Sequence, residues 1–395
     1  MTPEALQATP EALQATPAAP DDGAVSYHGW RRRYGPAAAG EVLSVLREVA
    51  DSDEFILKSR AQALEAAIAA HTGAGHAVAC ASGTGALTLA LAALDIGPGD
   101  EVITPAFSFI SSASTIALAG ATPVFADVDA ETATLDPASA SGAVTARTKA
   151  MVPAHLFSCA APMVVLRTVA DWYGLALVED SAVSLGADVD GRPAGRHGDV
   201  GVFSFYPGKP LGGVGDGGMV ITDDESLGTV IRMLRNHGQD LSERFLHRMV
   251  GFNCRMDEVV AGYLLRQLPQ LAATLAARRE LARRYEERLR PLAPDLVPPP
   301  AGFEDRSVYS YVVRAAERDA LRVHLTRRGV QTVVYYPRPL HLQPVFAALG
   351  YATGDFPVAE RWAATALALP LYPGLTPAEQ DRVCGAIAEF YGRPS

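Results

Sequence analysis

Apolar residues recur along the chain with two different periods. In GEVLSVLREVADS and AQALEAAIAAHTG, residues 40–52 and 61–73, they are three or four positions apart, which predicts amphipathic helices. Between residues 76 and 222, short apolar runs such as HAVACA, DEVITP and GGMVIT alternate with further helical segments and short turns. Strands that alternate with helices predict an α/β fold, in which a mostly parallel sheet is covered by helices on both faces.

The alternation ends near Arg255. Residues 256–292 have the spacing of a long helix, which we expect to bend at Pro269, because proline lacks the backbone N–H that continues a helix. Beyond the proline-rich segment 292–302, the pattern predicts strands at SVYSYVVRA and VQTVVYYP with a helix between them, and a closing helix at TPAEQDRVCGAIAEFYG. This set of elements is typical of a smaller α+β domain.

The pattern divides the chain into three regions. Residues 1–23 contain the repeated segment TPEALQA and are predicted to be a flexible extension, because one leucine per repeat gives only a thin apolar stripe. Residues 24–270 are predicted to form the large domain, and residues 271–395 the smaller C-terminal domain.

Composition and charge narrow the classes of function. Of the 395 residues, 49% are hydrophobic and 20% are charged, so the chain can bury a substantial core. The net charge of −10 argues against nucleic acid or an anionic membrane as the main partner. No apolar run approaches the ~18 residues of a membrane-spanning helix and no signal-peptide pattern is present, so we expect a cytoplasmic protein. The four cysteines are scattered, which predicts free thiols and neither a zinc site nor a disulfide framework.

Two groups of candidate residues lie where strands end. The turn Ser82-Gly83-Thr84-Gly85 separates the strand HAVACA from a helix, and the N–H groups at such a helix N-terminus bind phosphate. The alternative is an ordinary N-cap, in which Ser82 or Thr84 bonds the free amides of the first turn. Asp180 ends the strand LALVED, where its carboxylate either caps the next turn or faces a cationic ligand atom.

The segment VFSFYPGKPLGGVGDGG places one lysine among six glycines. Most lysines lie on the surface, but Lys209 follows an apolar strand, and Ser204, five residues earlier, adds a second hydroxyl for a phosphate. A desolvated lysine loses its proton more readily and becomes a nucleophile able to form an imine. We expect the glycines to leave room for a cofactor and a substrate.

Together, these groups match the needs of pyridoxal phosphate. Its phosphate needs helix-end amides and hydroxyls, its ring nitrogen needs a carboxylate, and its aldehyde needs an amine. Phe109, in TPAFSFISS, is placed to stack on the ring, and the alternative for this residue is core packing. We therefore expect pyridoxal phosphate as the cofactor, with pyridoxamine phosphate as its amine form.

Seven segments in order carry a resemblance to a known family: ASGTGALTLAL, TPAFSFISSA, VEDSA, GDVGVFSFYPGKPLGGVGDGGMVITDD, GFNCRMDEVVAGYLLRQL, YYPRPLHLQPVF and LALPLYPGLTP. From about Tyr34 to the C-terminus, the chain resembles the sugar aminotransferases of the DegT/DnrJ/StrS type, which are fold type I pyridoxal phosphate enzymes. The resemblance implies a large domain with a mostly parallel seven-stranded sheet flanked by helices, and a smaller C-terminal α+β domain.

The resemblance also implies a role for each candidate residue. Lys209 would form the Schiff base with the cofactor, and Asp180 would keep the ring nitrogen protonated. The other residues that it assigns are Ser82, Gly83, Thr84 and Ser204 for the phosphate, Phe109 for the ring face, Asn253 for the cofactor of the neighbouring subunit, and Tyr336, His341 and Lys58 for the sugar. Because the amide of residue 253 would cross between subunits, a homodimer with shared active sites is expected.

The implied reaction is a transamination. Glutamate or glutamine would give its amino group to a keto-deoxy sugar carried on a nucleotide diphosphate, of the dTDP type, in the biosynthesis of antibiotic sugars. We expect amination at carbon 4 first and at carbon 3 next. The alternatives are a cyclitol aminotransferase and a non-catalytic pyridoxal phosphate sensor. Relatives that remove a hydroxyl group carry histidine at the lysine position, so Lys209 argues against that reaction.

Three positions depart from the family pattern. Val183 stands where the family has a glutamine that contacts the cofactor's ring oxygen, so another donor must make this contact. Ser158 replaces a common glycine, and Lys58-Ser59 stands where glycine is frequent.

Overall fold

A seven-stranded sheet forms the centre of the computed structural model, which describes residues 23–393. In chain order, the strands of this half of the protein are β1 (His76–Cys80), β2 (Glu101–Pro105), β3 (Thr122–Ala126), β4 (Thr148–Met151), β5 (Ala176–Asp180), the hairpin β6 (Asp188–Val189) and β7 (Arg192–Pro193), β8 (Val200–Ser204) and β9 (Gly218–Thr222). The sheet has the order β1–β9–β8–β5–β4–β2–β3, with six parallel strands and β9 antiparallel to both neighbours. The predicted α/β class and mostly parallel sheet are confirmed.

Helices cover both faces of this sheet. They are α1 (Trp30–Arg33), α2 (Pro36–Ser52), α3 (Ser59–Thr72), α4 (Gly83–Ala93), α5 (Ser111–Leu118), α6 (Pro137–Gly142), α7 (Met163–Tyr173), α8 (Glu225–Leu234) and α9 (Glu258–Gln267). Val202 of β8 lies in the same core as Leu87 of α4, whereas its neighbour Phe203 lies in the core that contains Ile68 of α3. Successive side chains of a strand point to opposite faces, so strands buried on both sides read as continuous apolar runs.

The long helical segment breaks at the predicted proline. After α9, a 3-10 turn spans Leu268–Gln270 and includes Pro269, and α10 (Leu271–Leu289) then continues. The remaining elements are β10 (Leu296–Val297), β11 (Tyr311–Ala315), α11 (Arg318–Arg327), α12 (Pro357–Thr365), β12 (Ala366–Leu369) and α13 (Pro377–Phe390), with 3-10 turns at Arg290–Leu292, Leu340–Leu342 and Pro344–Leu349. The strands β10, β11 and β12 form an antiparallel sheet in that order.

One predicted strand is wrong. The segment VQTVVYYP makes only isolated bridges, from Val330 to Val25 and from Val333 to Ala368, and the third strand of the small sheet is the later segment ALAL. After Val333 the chain leaves the sheet and turns Tyr335 towards a cavity of the large sheet. The apolar content of this segment led to the predicted strand, but its tyrosine side chains line the cavity and the segment forms no continuous ladder.

The boundary between the two regions remains a prediction at 270/271. Leu271 and Leu275, at the start of α10, pack in a core of the large sheet, whereas Tyr285 of the same helix packs in the C-terminal core. Val25 also packs in that C-terminal core, although it precedes the large sheet in the sequence. We propose that α10 links the two regions. We also propose that the segment around Val25 belongs to the C-terminal region.

The rest of the predicted extension, residues 1–22, lies outside the described residues, as do residues 394 and 395. Within residues 23–393, none of the helices combines the length and the apolar character that crossing a membrane would need. The four cysteines are free and buried, as predicted.

Candidate active site

A cavity of about 480 Å³ lies at the ends of the parallel strands. It is lined by residues that follow β1, β2, β4, β5 and β8, and by tyrosines of the C-terminal region. In open α/β sheets, ligands bind at this edge because the strands end there together and leave a crevice between their loops. Both Asp180 and Lys209 line the cavity, as the sequence predicted from their positions after β5 and near β8.

Lys209 is held by a turn that begins where β8 ends. Its backbone N–H donates to the Tyr206 carbonyl at 2.8 Å, and the Gly213 N–H donates to the Phe205 carbonyl at 2.7 Å. Burial lowers the pKa of the Lys209 amine from 10.5 to about 8, and the negative charge of Asp180 opposes part of this effect. The amine is therefore partly neutral near physiological pH and able to act as a nucleophile.

Asp180 is almost fully buried at the end of β5. Its Oδ1 accepts the Ala182 N–H at 3.1 Å, and its Oδ2 accepts the Ser112 hydroxyl at 3.5 Å. Burial raises the pKa of Asp180, while the Ala182 N–H and the Lys209 charge act in the opposite direction. A buried carboxylate of this kind stabilises a cationic ring nitrogen, because little water competes for its charge.

The turn that was predicted to bind the phosphate lies at the N-terminus of α4. The Ser82 hydroxyl caps the helix and accepts the Gly85 N–H at 3.0 Å, so for this side chain the N-cap reading is correct. The amides of Gly83 and Thr84 have no acceptor within the described residues. A Cβ at Gly83 would lie 2.7 Å from the Cβ of Ser204, so the absence of a side chain brings that hydroxyl close to the helix end.

The residues of the cavity fit pyridoxal phosphate. Free amides and a hydroxyl meet at a helix N-terminus, which suits a phosphate. A buried carboxylate and an amine of lowered pKa share the same cavity, which suits the ring nitrogen and the aldehyde. The chemistry of this donor set is therefore that of the expected cofactor.

Aromatic rings line the outer part of the cavity. Phe109 is 53% exposed, and its ring centroid lies 6.1 Å from that of Tyr336, another predicted residue. Both side chains line the cavity, where an exposed ring is available to stack on a planar ligand. The sequence analysis missed Tyr309 and Tyr335, which share the same wall.

Three predicted residues do not line the cavity of this chain. Asn253 and Lys58 are exposed elsewhere, and the backbone N–H of Lys58 donates to Glu258 at 2.7 Å. His341 is buried, with its Nε2 3.2 Å from Glu360 Oε1. The rings of Phe356 and Tyr351, from later in the chain, lie beside it, and the predicted contact of His341 with the sugar stays a prediction.

A second buried carboxylate, which the sequence analysis did not single out, lies behind Asp180. The Nδ1 of His155 accepts the Ala161 N–H at 2.9 Å, so Nε2 carries the proton and donates to Glu179 at 2.8 Å. Burial alone would raise the pKa of Glu179, but this bond and the N–H groups of Gly195 and His197 lower it to about 2. The position of Glu179 directly before Asp180, in a strand of a parallel sheet, was the signal available in the sequence.

Two of the six glycines around Lys209 are required by close packing of the backbone. A Cβ at Gly212 would clash with the carbonyl of Pro207, and a Cβ at Gly218 would clash with that of Ser82. Both glycines therefore allow close packing of the loop on the protein's own backbone, and the expectation that the glycines of this loop leave room for ligands stays a prediction. The side chain of Val183 does line the cavity, where it offers no hydrogen-bond donor.

The fold and this cavity define a class of protein, the pyridoxal phosphate enzymes of fold type I. The chain belongs to the DegT/DnrJ/EryC1/StrS aminotransferase family, whose model matches residues 36–388. It is therefore a pyridoxal-phosphate-dependent transaminase, which confirms the predicted family, fold class and cofactor.

Similar proteins cover nearly the whole chain. A pleiotropic regulatory protein of Geobacillus stearothermophilus is 43% identical over 353 residues, covering 89% of this chain and 94% of that protein. A UDP-N-acetyl-3-dehydro-alpha-D-glucosamine 3-aminotransferase of Acidithiobacillus ferrooxidans is 42% identical, covering 88% of this chain and 93% of that protein. A dTDP-3-amino-3,4,6-trideoxy-alpha-D-glucose transaminase of Streptomyces venezuelae is 40% identical, with coverages of 89% and 93%.

Solved structures agree with this family. DesV of S. venezuelae, in complex with a ketimine intermediate, matches with a TM-score of 0.89 and 39% identity, covering 94% of this chain and 100% of that chain. NtdA of Bacillus subtilis, with bound PMP, matches with a TM-score of 0.88 and 29% identity, covering 94% of this chain and 86% of that chain.

Proposed function

We propose that this transaminase moves an amino group from glutamate or glutamine to the keto carbon of a deoxy sugar carried on a nucleotide diphosphate. The observation that carries the proposal is the meeting of Lys209, Asp180 and the free amides of Gly83 and Thr84 in one cavity. The names of two relatives, which act on UDP- and dTDP-linked sugars, support the substrate class.

The chain's own residues supply the proton transfer and the electrostatic environment. When bound, pyridoxal phosphate supplies an aldehyde that bonds amines and a ring that withdraws electrons from the neighbouring carbon. The amides of Gly83 and Thr84, with the hydroxyl of Ser204, hold its phosphate. Lys209 Nζ accepts and returns a proton at the reacting carbon, because its pKa of about 8 is close to the working pH. Asp180 holds the proton on the ring nitrogen.

The proposed position of amination is carbon 3. The sequence analysis expected carbon 4 first, on family likeness. Two relatives carry carbon 3 in their names, one as a 3-aminotransferase and one as a 3-amino sugar transaminase. These names favour carbon 3 for this chain, with dTDP- and UDP-linked 3-keto sugars as the first substrates to test.

The active unit is proposed to be a homodimer. Asn253 is exposed and stands at the end of a segment with several exposed apolar side chains: Leu241, Phe245, Val250 and Phe252. Several exposed large apolar side chains in one segment favour a protein contact, because isolated chains rarely leave such side chains together in water. A second copy that covers it would bring Asn253 towards a neighbouring cavity, as the family resemblance implies.

The first experiment identifies the lysine that bonds the cofactor, which is practical because the sequence has few lysines. Lys58, Lys149 and Lys209 are the only lysines in the sequence. We expect the protein loaded with pyridoxal phosphate to show a visible absorbance band that borohydride bleaches, and peptide mapping to find the reduced adduct on Lys209. Lys209→Ala should abolish the band and the activity, whereas Lys149→Ala, a change at a surface ion pair, should retain both.

The second experiment separates the possible functions. Glutamate or glutamine should convert the loaded protein to the amine form, and each nucleotide keto sugar is then tested for restoring the aldehyde form. Restoration by a 3-keto sugar supports the proposal, restoration by a 4-keto sugar moves the site to carbon 4, and restoration only by a keto cyclitol replaces the substrate class. Binding of the cofactor with no conversion by any amino donor would refute the enzyme and favour a sensor, the role suggested by the name of the regulatory relative.

A further inference from the structure

One aromatic ring faces the reacting amine. The Nζ of Lys209 lies 4.6 Å from the ring centroid of Tyr309, within the range of a cation–π contact. We propose that Tyr309 is a further catalytic residue, whose ring face holds the protonated amine of Lys209 whenever this amine is not bonded to the cofactor. The inference rests on the proposed role of Lys209. It adds the group that holds the released Lys209 amine during each turnover.

No other direct partner stabilises the ammonium form. Within residues 23–393, neither a hydrogen bond nor an ion pair joins Nζ to a carboxylate, and Asp180 acts only through its charge. The titratable groups that line the same cavity are Asp180, Asp216, His155, Tyr206, Tyr309, Tyr335 and Tyr336. Tyr309 is the member of this set whose ring lies over the amine.

The backbone that carries the Tyr309 ring is held by hydrogen bonds at its N–H and its carbonyl. The Tyr309 N–H donates to the Phe157 carbonyl at 3.1 Å, and Nη1 of the buried Arg278 donates to the Tyr309 carbonyl at 3.1 Å. Because these contacts fix the backbone that carries the ring, the ring face is oriented before the amine is released.

During the reaction the Lys209 amine must both accept a proton and release it, and a ring face beside it suits both steps. The released amine would take a proton from the donor carbon and deliver it to the carbon of the cofactor. In the second half of the reaction it would take that proton back and deliver it to the sugar carbon, so no proton is gained or lost overall. A carboxylate in direct contact would hold the ammonium too firmly and prevent its return to the neutral amine. A ring face attracts the cation more weakly, and it therefore positions the amine without trapping the proton.

The test measures the proton affinity of Lys209 in the apo-protein, without donor or sugar. Reductive methylation with ¹³C-formaldehyde labels three lysines and the terminal amine, and NMR follows each signal against pH. We expect Tyr309→Leu to lower the pKa of Lys209 by about one unit, which is a tenfold change in the ratio of ammonium to amine. Tyr309→Phe, which keeps the ring, should retain the original value.

Tyr206→Leu is the matched control. This residue lines the same cavity three positions from Lys209, so its loss changes the cavity wall without removing the ring over Nζ. We expect the pKa of Lys209 to stay within about 0.3 units of the unaltered protein, because a change in general polarity alone is small beside the loss of the contact. An equal fall in Tyr206→Leu and Tyr309→Leu would overturn the proposal.

Two further results would also overturn it. One is an unchanged pKa in Tyr309→Leu, and the other is an equal fall in Tyr309→Phe, which would assign the effect to the hydroxyl. If Tyr309→Leu does not fold, pentafluorophenylalanine at position 309 replaces it, because it keeps the shape and reverses the charge of the ring face. A pKa that follows this change supports Tyr309 even if no keto sugar is ever aminated, so this test and that of the proposed function fail independently.

Discussion

The buried amine of Lys209 should lower the free energy of unfolding of the protein. Burial lowers the pKa of Lys209 from 10.5 to about 8, so the folded state disfavours the ammonium form that the unfolded chain prefers. The difference corresponds to about 3 kcal/mol, at 1.36 kcal/mol for each pH unit. Because the side chain keeps some exposure to solvent, we expect Lys209→Met to stabilise the apo-protein by only about 1–2 kcal/mol at pH 7, while transamination is lost.

The dependence on pH has a definite sign. Below the folded pKa of about 8, Lys209 is charged in both states, and the whole penalty is present. Above 10.5 it is neutral in both states, and the penalty is absent. The stability gained in Lys209→Met should therefore be largest at pH 7 and should decline as the pH rises from 8 towards 10.5.

Urea unfolding of the apo-proteins at matched concentration measures this difference. Lys149→Met is the control, because its amine lies 3.4 Å from Asp100 in a partly exposed ion pair, and such pairs contribute about 0–1 kcal/mol. We expect this variant to be no more stable than the unaltered protein. The reasoning is refuted if Lys209→Met is less stable at pH 7, or if its gain is the same at pH 7 and pH 10.

Three further predictions concern residues around the cavity. Glu179→Gln should lower the free energy of unfolding by about 3 kcal/mol at pH 7, because the folded state lowers the pKa of Glu179 to about 2. Urea unfolding should show that this loss becomes smaller as the pH falls from 4.5 towards 2. Gly218→Ala should weaken binding of pyridoxal phosphate at least tenfold in a fluorescence titration, because the added Cβ displaces the carbonyl of Ser82 and with it the turn that was predicted to bind the phosphate. Mixing inactive Lys209→Ala and Asn253→Ala subunits should restore about a quarter of the activity, since half of the dimers are hybrid and each holds one intact site; no restoration would place Asn253 in its own subunit's site.

The site could be predicted as far as it depends on strand ends. Asp180 is the last residue of β5, and the turn at Ser82 follows β1 closely, so the pattern of apolar runs already placed them at one edge of a sheet. The structure brings both into one cavity with Lys209. Their roles on the cofactor stay predictions, since position alone does not report on chemistry.

The residues that were missed depend on contacts distant in sequence. Tyr309 precedes β11 and reads as part of an apolar strand, and nothing local shows that its ring lies over an amine one hundred positions earlier. The surroundings of His341 could not be predicted for the same reason, because the rings that lie beside it, Phe356 and Tyr351, come from later in the chain. Periodicity reports which face of an element is buried, but not which surface covers that face.

The C-terminal region supplies part of the cavity lining. Tyr309, Tyr335 and Tyr336 form one wall of the cavity around an amine whose lowered pKa has burial as its first cause. If the whole wall moved away, water would reach Lys209, and the loss of burial would outweigh the loss of the contact with Tyr309, because burial is the largest cause of the lowered pKa. The pKa would then rise towards 10.5, and the amine would become a weaker nucleophile near neutral pH. The position of the C-terminal region over the large sheet would therefore set how readily the lysine loses its proton, because the same side chains exclude water from its nitrogen.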